Sequence, residues 1–392
     1  MIVIAHTVDP SAPLPSGLQR YVFELSNYMT RKGIDVTLLG QLRVHSDKIK
    51  RANLPSKSDK LSFIPIANAR NPFYIYLLKL TFTILFLKKQ IPRSAIIHTC
   101  RLDYMLPFIL LYPHNPKVLT SDEPLHTLRL EMKDSILYKF IAIVYLSVEM
   151  WCLRWKIDRL ITDVRTAKEY YEKRYPWIKR KLHVMPTSCV ELTKFRPMYK
   201  MQLKKKFGLD NSKVVMFLGI PRKVKNLDFL IRSFAIVKKR VPNAKLVIVG
   251  KGDYEYESSL KQLSQKLELD DSIVFTGGVH PDKVPEVLNC ADVFSLCSIT
   301  EGSPTVVKEA IACGVPVVTT DVGDVRQVTR NDLVGNVVDK DELKFANALV
   351  RFITLNEKER KRVEEECVKI SMEFSPEHVF KKVLDVYKSL VN

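Results

Sequence analysis

The sequence predicts an α/β protein of two Rossmann-like domains, each a parallel sheet covered by helices on both faces. Three observations predict it. Short, continuous apolar runs rich in Val and Ile alternate with stretches of helical period, and continuous apolar strands belong to parallel sheets buried on both sides. The alternation occurs as two series, and 392 residues exceed one ordinary core but suit two domains of about 150–200 residues each. A composition that is 46% hydrophobic and 27% charged is globular, neither fibrous nor disordered.

In the first series Ile2–Ala5 reads as a strand, and Tyr21–Lys32 as a helix closed by Gly33. Val36–Leu39, Ala95–His98, Lys117–Thr120 and Arg159–Thr162 follow as buried strands. The N-terminus, MIVIAHTVD, has no basic residues ahead of its apolar run and reads as a first strand, not a signal peptide. Residues 45–60 are polar and basic and read as a loop. In the second series Val214–Leu218 is a strand, and Leu227, Leu230, Ile231, Phe234 and Val237 share one helical face. Leu246–Val249, Ile273–Phe275, Val293–Leu296 and Val315–Thr319 complete the rhythm. The linker reads as Thr187–Pro197, with the lysine run at 204–206 as a solvated helix face. The expected division is 1–196, 197–372 and a terminal helix over 373–392.

Two stretches are tested against the membrane. Phe73–Leu87 is apolar at 12 of 15 positions and Ile136–Leu153 at 15 of 18, whereas a spanning helix needs about 20. The first is too short and the second carries two charges. Both read as buried or half-buried helices. The competing reading is helices lying in a membrane interface, because Lys88, Lys89, Arg154, Trp155 and Lys156 flank them.

Net charge is +19, and it is lopsided: residues 1–200 hold 32 basic and 16 acidic side chains, the rest 30 and 27. A basic half of that size implies an anionic partner: nucleic acid, acidic lipid or a phosphorylated substrate. No nucleic-acid module is legible, so nucleic acid is not expected. Seven cysteines without a C-x-x-C pair exclude a zinc site or disulfide framework and fit a reducing cytoplasm. The one G-x-G, Gly250–Lys251–Gly252, is followed by Glu255 and is no dinucleotide signature, and there is no P-loop. His98 ends a strand and reads as a core or rim histidine, and Cys313 as a small buried residue. KEYYEKRYPWIKRK (168–181) interleaves aromatic and basic residues, either a solvated helix and loop or a lipid- or nucleic-acid-facing segment.

The most informative segment is EGSPTVVKEAIACGVPVVTTDVGD (301–324). A strand leads through a loop into a helix over about Pro304–Cys313, whose first amides make an anion site. Glu301 stands at its mouth and Glu309 lies eight residues later. Carboxylates beside a phosphate-binding helix end suit a phosphate that carries hydroxylated groups, since they accept hydrogen bonds from sugar hydroxyls. This segment resembles the E-x7-E signature of the retaining glycosyltransferases of family 4, which have two facing Rossmann-like domains, the GT-B fold. VMPTSCVELTKFRP (184–197), FLGIPRKVKNLDFLIRSF (217–234), IVFTGGVHPDKVPEVLNCADVFSLCS (273–298), FSPEHVFKKVLDVYKSL (374–390) and PSGLQRYVFELSNYMTRKGIDVTLL (15–39) are similar to further segments of that family.

The resemblance implies a nucleotide-diphosphate sugar held by the C-terminal domain and an acceptor held by the N-terminal one, with reaction in the cleft between them. Glu309 would bond the ribose and Glu301 the transferred sugar. Ser303, Thr305 and Val306 would offer backbone groups to sugar and phosphate, and Gly17 would let the opposing backbone approach the diphosphate. The family neutralises the leaving group with an arginine and a lysine, without a metal, so no metal or other cofactor is expected. Lys225 fits the lysine position. Ile220 stands where the arginine usually does, and Arg222, with its bidentate reach, replaces it here. Asp122 falls where the family often has a cleft histidine; Asp122 as a base, or His126 four residues on, takes that role.

The expected function is therefore transfer of a sugar to a lipid-linked acceptor at the cytoplasmic face of an anionic membrane, with retention. Each basic residue near such a surface contributes about 1 kcal/mol. The alternatives are a glycosyltransferase using a free sugar or sugar phosphate, and a non-catalytic family member.

Overall fold

The structure, a computed structural model, describes residues 1–6, 8, 17–42, 60–68, 73–121, 136–162 and 165–391. Its residues divide into two units, Met1–Ser188 with Pro376–Asn392, and Cys189–Ser375. The sequence placed the changeovers at 196/197 and 372/373. Val190 N donates to Phe374 O at 2.8 Å, and Val190, Phe195 and Phe374 are all buried in the second unit's core. Those contacts assign both ends of this segment to the second unit.

The first unit is a seven-stranded sheet: β1 (Ile2–Ala5), β2 (Val36–Leu42), β3 (Leu61–Asn68), β4 (Ile96–Thr99), β5 (Lys117–Thr120), β6 (Arg159–Thr162) and β7 (Leu182–Val184). All pairings are parallel, in the order β3-β2-β1-β4-β5-β6-β7. The helix expected from Tyr21 begins at Gly17 and runs to Arg31, with Gly33 at φ +83° ending it. The terminal helix, Pro376–Lys388, packs on it: the Phe380 ring lies 5.5 Å from Tyr21 and 5.6 Å from Tyr28. Residues 45–59 lie outside the described residues.

Helix Phe73–Phe86 turns Tyr76, Leu80 and Ile84 into the core, four residues apart, and leaves Leu78, Phe82, Leu85 and Phe86 exposed. Helix Ile136–Trp155 buries Cys152 and Leu153 and exposes Met150, Trp151 and Trp155. Among the described residues no helix is long and apolar enough to cross a membrane. The aromatic and basic stretch at 168–181 is largely structural. Tyr171, Tyr175 and Ile178 are core residues, and Lys181 Nζ donates to the carbonyls of Leu153, Arg154 and Ile157, closing the preceding helix.

The second unit repeats the winding with β8 (Lys213–Leu218), β9 (Ala244–Val249), β10 (Ile273–Gly277), β11 (Val293–Leu296), β12 (Val317–Thr319) and β13 (Gly335–Val337). Its order is β10-β9-β8-β11-β12-β13, again all parallel. The lysine run is not uniformly solvated: Lys204 is mostly buried and pairs with Asp292 at 2.6 Å. All seven cysteines are buried and none is in a disulfide.

Candidate functional site

In the second sheet the winding reverses between β8 and β11, which are neighbours. Ligands of doubly wound sheets bind at such a switch point, outside the carboxyl ends of the strands. Two loops emerge there. The one after β8 is shaped by glycines: a Cβ on Gly250 would lie 1.9 Å from Gly219 O, and one on Gly252 2.3 Å from Pro221 O. The G-x-G that fails as a nucleotide fingerprint is thus the place where the loops after β8 and β9 run backbone to backbone. The first of these loops then makes a 3₁₀ turn, Lys223–Lys225, and Asn226 in the left-handed region opens helix Leu227–Arg240.

The loop after β11 is tied to that turn. Ile299 N donates to Val224 O at 2.8 Å. Cys297 Sγ donates to the carbonyls of Lys225 and Asn226, both at 3.2 Å. Lys225 Nζ meets Glu301 Oε1 at 2.6 Å, and Ser298 Oγ donates to the same oxygen at 2.6 Å. The Lys225 and Glu301 side chains are 24% and 15% exposed, so the pair is shielded yet reachable, and its attraction exceeds that of a surface pair. Ser298 was not singled out in the sequence.

Behind this pair, helix Thr305–Ala312 starts at Pro304 with no side-chain cap. The Thr305 and Val306 amides make no hydrogen bond among the described residues, the usual state of a first turn and a ready donor set for an anion. Glu309 follows Thr305 by one turn, on the same side of the helix, and is 6% exposed. Ser303 Oγ donates to Asp324 Oδ2 at 2.8 Å and accepts from Lys308 Nζ at 2.6 Å. Gly323, at φ +55°, passes so close to Gly302 that a Cβ would lie 1.7 Å from its carbonyl oxygen. Lys308 and Asp324 were missed in the sequence because a lysine beside Glu309 gives no sign of being buried.

Arg222 is exposed, just ahead of the 3₁₀ turn, with no partner for its guanidinium among the described residues. The structure therefore unites Lys225, Glu301, Ser303, Thr305, Val306 and Glu309 on two adjoining loops and one helix, with Arg222 on the rim. Gly17 is the exposed first residue of its helix in the other unit. Asp122 and His126 lie outside the described residues. His98 is fully buried, its Nδ1 2.5 Å from Tyr387 Oη and its Nε2 2.7 Å from Thr120 Oγ1, a core histidine. Cys313 is likewise buried. Among the described residues no three His, Cys, Asp or Glu side chains cluster so as to hold a metal ion. Cations on one loop, amide donors at a helix start and two carboxylates can together hold a charged leaving group and hydroxyls.

The family described as "Glycosyl transferases group 1" matches residues 200–368. Over 52% of its length the chain is 29% identical to the putative glycosyltransferase YtcC of Bacillus subtilis, of which the match covers 54%. Over 36% it is 34% identical to the GDP-mannose-dependent alpha-(1-6)-phosphatidylinositol monomannoside mannosyltransferase of Mycolicibacterium smegmatis, covering 39% of that protein. The chain thus spans about half or less of the curated relatives it matches. In fold it resembles the sucrose-phosphate synthase of Thermosynechococcus elongatus, with TM-score 0.75 at 19% identity, over 100% of this chain and 99% of that one. It also resembles HepE of Anabaena in complex with UDP and glucose, with TM-score 0.73 at 14% identity, over 99% of each chain. Two Rossmann-like α/β units are therefore the fold of this chain, as expected from its sequence.

Proposed function

We propose that the chain is a glycosyltransferase that moves a hexosyl group from a nucleotide-diphosphate donor, bound by the second unit, to an acceptor. The observation that carries this reading is the Lys225–Glu301 pair at 2.6 Å, joining the two loops of the switch point beside the uncapped start of helix Thr305–Ala312. The group 1 match over that same unit supports it. In the reaction the bond from the anomeric carbon to the diphosphate breaks, and its electron pair leaves on the phosphate oxygen. The acceptor oxygen forms the new bond, on the same face, and releases its proton. Lys225, Arg222 and the amides of Thr305 and Val306 offset the charge that grows on the diphosphate, so no metal is needed. Glu301 orients the transferred sugar through its hydroxyls, Glu309 holds the ribose, and Gly17 lets backbone approach the diphosphate. Asp122 or His126 serves the acceptor hydroxyl as base.

The test is a screen of UDP-, GDP- and ADP-sugars for thermal stabilisation, followed by product analysis with the best donor, including its anomeric configuration. The name of one relative puts GDP-mannose first in that screen, and the UDP-glucose complex of a fold neighbour, HepE, puts UDP-glucose beside it. Glu309→Ala is expected to lower transfer by about 100-fold or more while the fold persists. Undiminished transfer by Glu309→Ala, or no donor stabilising the wild type, rejects the reading.

A lipid-linked acceptor at the cytoplasmic face of an anionic membrane is favoured over a free sugar or sugar phosphate by one observation. On one helix Leu78 at 58%, Phe82 at 55% and Phe86 at 81% exposure precede Lys88 and Lys89, and on another Trp155 at 69% follows Arg154, the combination an interfacial helix uses. Co-sedimentation with anionic vesicles at low salt, lost at high salt, is the expected result. Protein that stays in the supernatant favours the free-sugar alternative.

A further inference from the structure

Lys308 is 1% exposed and Asp324 3%, and lysines are almost never buried to that degree unless paired. The two form an ion pair at 2.7 Å. Lys308 Nζ also donates to Ser303 Oγ at 2.6 Å, and that hydroxyl donates to the same Asp324 oxygen at 2.8 Å. The result is a closed triangle that joins the helix, the loop after β11 and the loop after β12. Asp324 Oδ1 is buried with no hydrogen-bond partner among the described residues.

Stability alone gives a poor account of this arrangement. Desolvating each ion is costly, and apolar side chains of like volume often serve a core as well or better. A carboxylate kept for stability would satisfy both oxygens. What charge-assisted bonds supply better than apolar contact is direction. The group they direct is Ser303, which stands two residues after Glu301 and two before the Thr305 amide. That short peptide is the stretch that meets sugar and diphosphate in the proposed reaction.

We infer that Lys308 and Asp324 are a positioning pair for the sugar diphosphate: through Ser303 they hold Glu301 and the first amides of the helix at donor-binding geometry, without touching the donor. This rests on the proposed donor site. Lys308→Met and Asp324→Leu are compared singly and together, by calorimetric melting and by donor KM and kcat with the donor found in the screen. Each single change is expected to lower the melting temperature. The double change removes both buried charges and is expected to recover most of the melting temperature while kcat/KM for the donor stays about 10- to 100-fold low. Recovery of both in the double variant overturns the inference. Ser303→Ala cuts the hydroxyl link and leaves the ion pair, so it serves even if the double variant does not fold. Raised donor KM at unchanged melting supports the inference, and unchanged KM overturns it. A wild type that binds no nucleotide sugar rejects the underlying function, whereas a binding wild type with fully active variants rejects only the pair's role.

Discussion

Asp292, just ahead of β11, is 4% exposed and surrounded by cations. Its Oδ1 accepts from Arg360 at 2.7 Å, and its Oδ2 accepts from Lys204 at 2.6 Å and from the Val214 amide at 2.7 Å; Lys200 stands 3.8 Å away. Burial pushes this carboxyl up, but Lys200, Lys204 and Arg360 outweigh it and hold it below the ordinary carboxylate value. Its folded-state pKa is thus depressed, so its stabilisation is present above about pH 4 and is lost as pH falls through the folded value. Asp292→Asn leaves the cations uncompensated and is expected to destabilise the second unit by about 3–5 kcal/mol near neutrality. Urea titrations of the two proteins check this: the gap between them should close on acidification below pH 4, and a constant gap contradicts the assignment.

Among the elements, the strands inside each sheet were legible, and of the four outer strands only β10 was. β1, β5, β6 and β11 each carry two or more adjacent apolar residues, and their observed limits equal the expected ones. β3, β7 and β13 were not anticipated. Each is an outer strand of its sheet, with one side unpaired and little demand for an apolar run. β3 contains Pro65, β7 is LHV and β13 is GNV, so no strand period stands out. The same contrast governs the site. Glu301 and Glu309 were readable because their spacing within a strand-loop-helix string carries chemistry, and Lys225 because its loop is similar to a segment of the family. Ser298, Lys308 and Asp324 were not, because their roles depend on which loops touch, and that is set by backbone approaches such as Gly302 to Gly323. The mostly buried position of Lys204 went unread for the same reason, since a lysine run says nothing of the aspartate 88 residues away that it meets.

For the whole molecule, the two units are expected to differ in their response to acid. In the first unit His6 is 5% exposed and its Nδ1 has no hydrogen-bond partner among the described residues. Burial, aided by Arg101, lowers its pKa to about 4. Burial, aided by His6, takes His98 to about 3, and burial also lowers His183. Each is neutral in the fold and takes up a proton once unfolded. Their stabilisation is complete above about pH 6.5 and falls as pH drops toward the folded values, by up to about 1.4 kcal/mol per pH unit for each. Glu149, whose pKa burial raises, works the other way but is one group against three. The second unit's Asp292 holds until about pH 4. Calorimetry between pH 7 and 4 should therefore show the first unit's transition falling ahead of the second's. Two transitions that move in step would contradict this.

The seven buried thiols have a consequence for handling the protein. No covalent crosslink restrains either unit, so both can unfold and refold under strong reductant without a redox step, and their recovery depends on packing alone. Cysteine-directed labels find nothing to react with until a unit opens. Cys100 and Cys152 then report on the first unit, and Cys189, Cys290, Cys297, Cys313 and Cys367 on the second. Cys297, bonded to the carbonyl of Lys225, reports on whether the loops after β8 and β11 stay together.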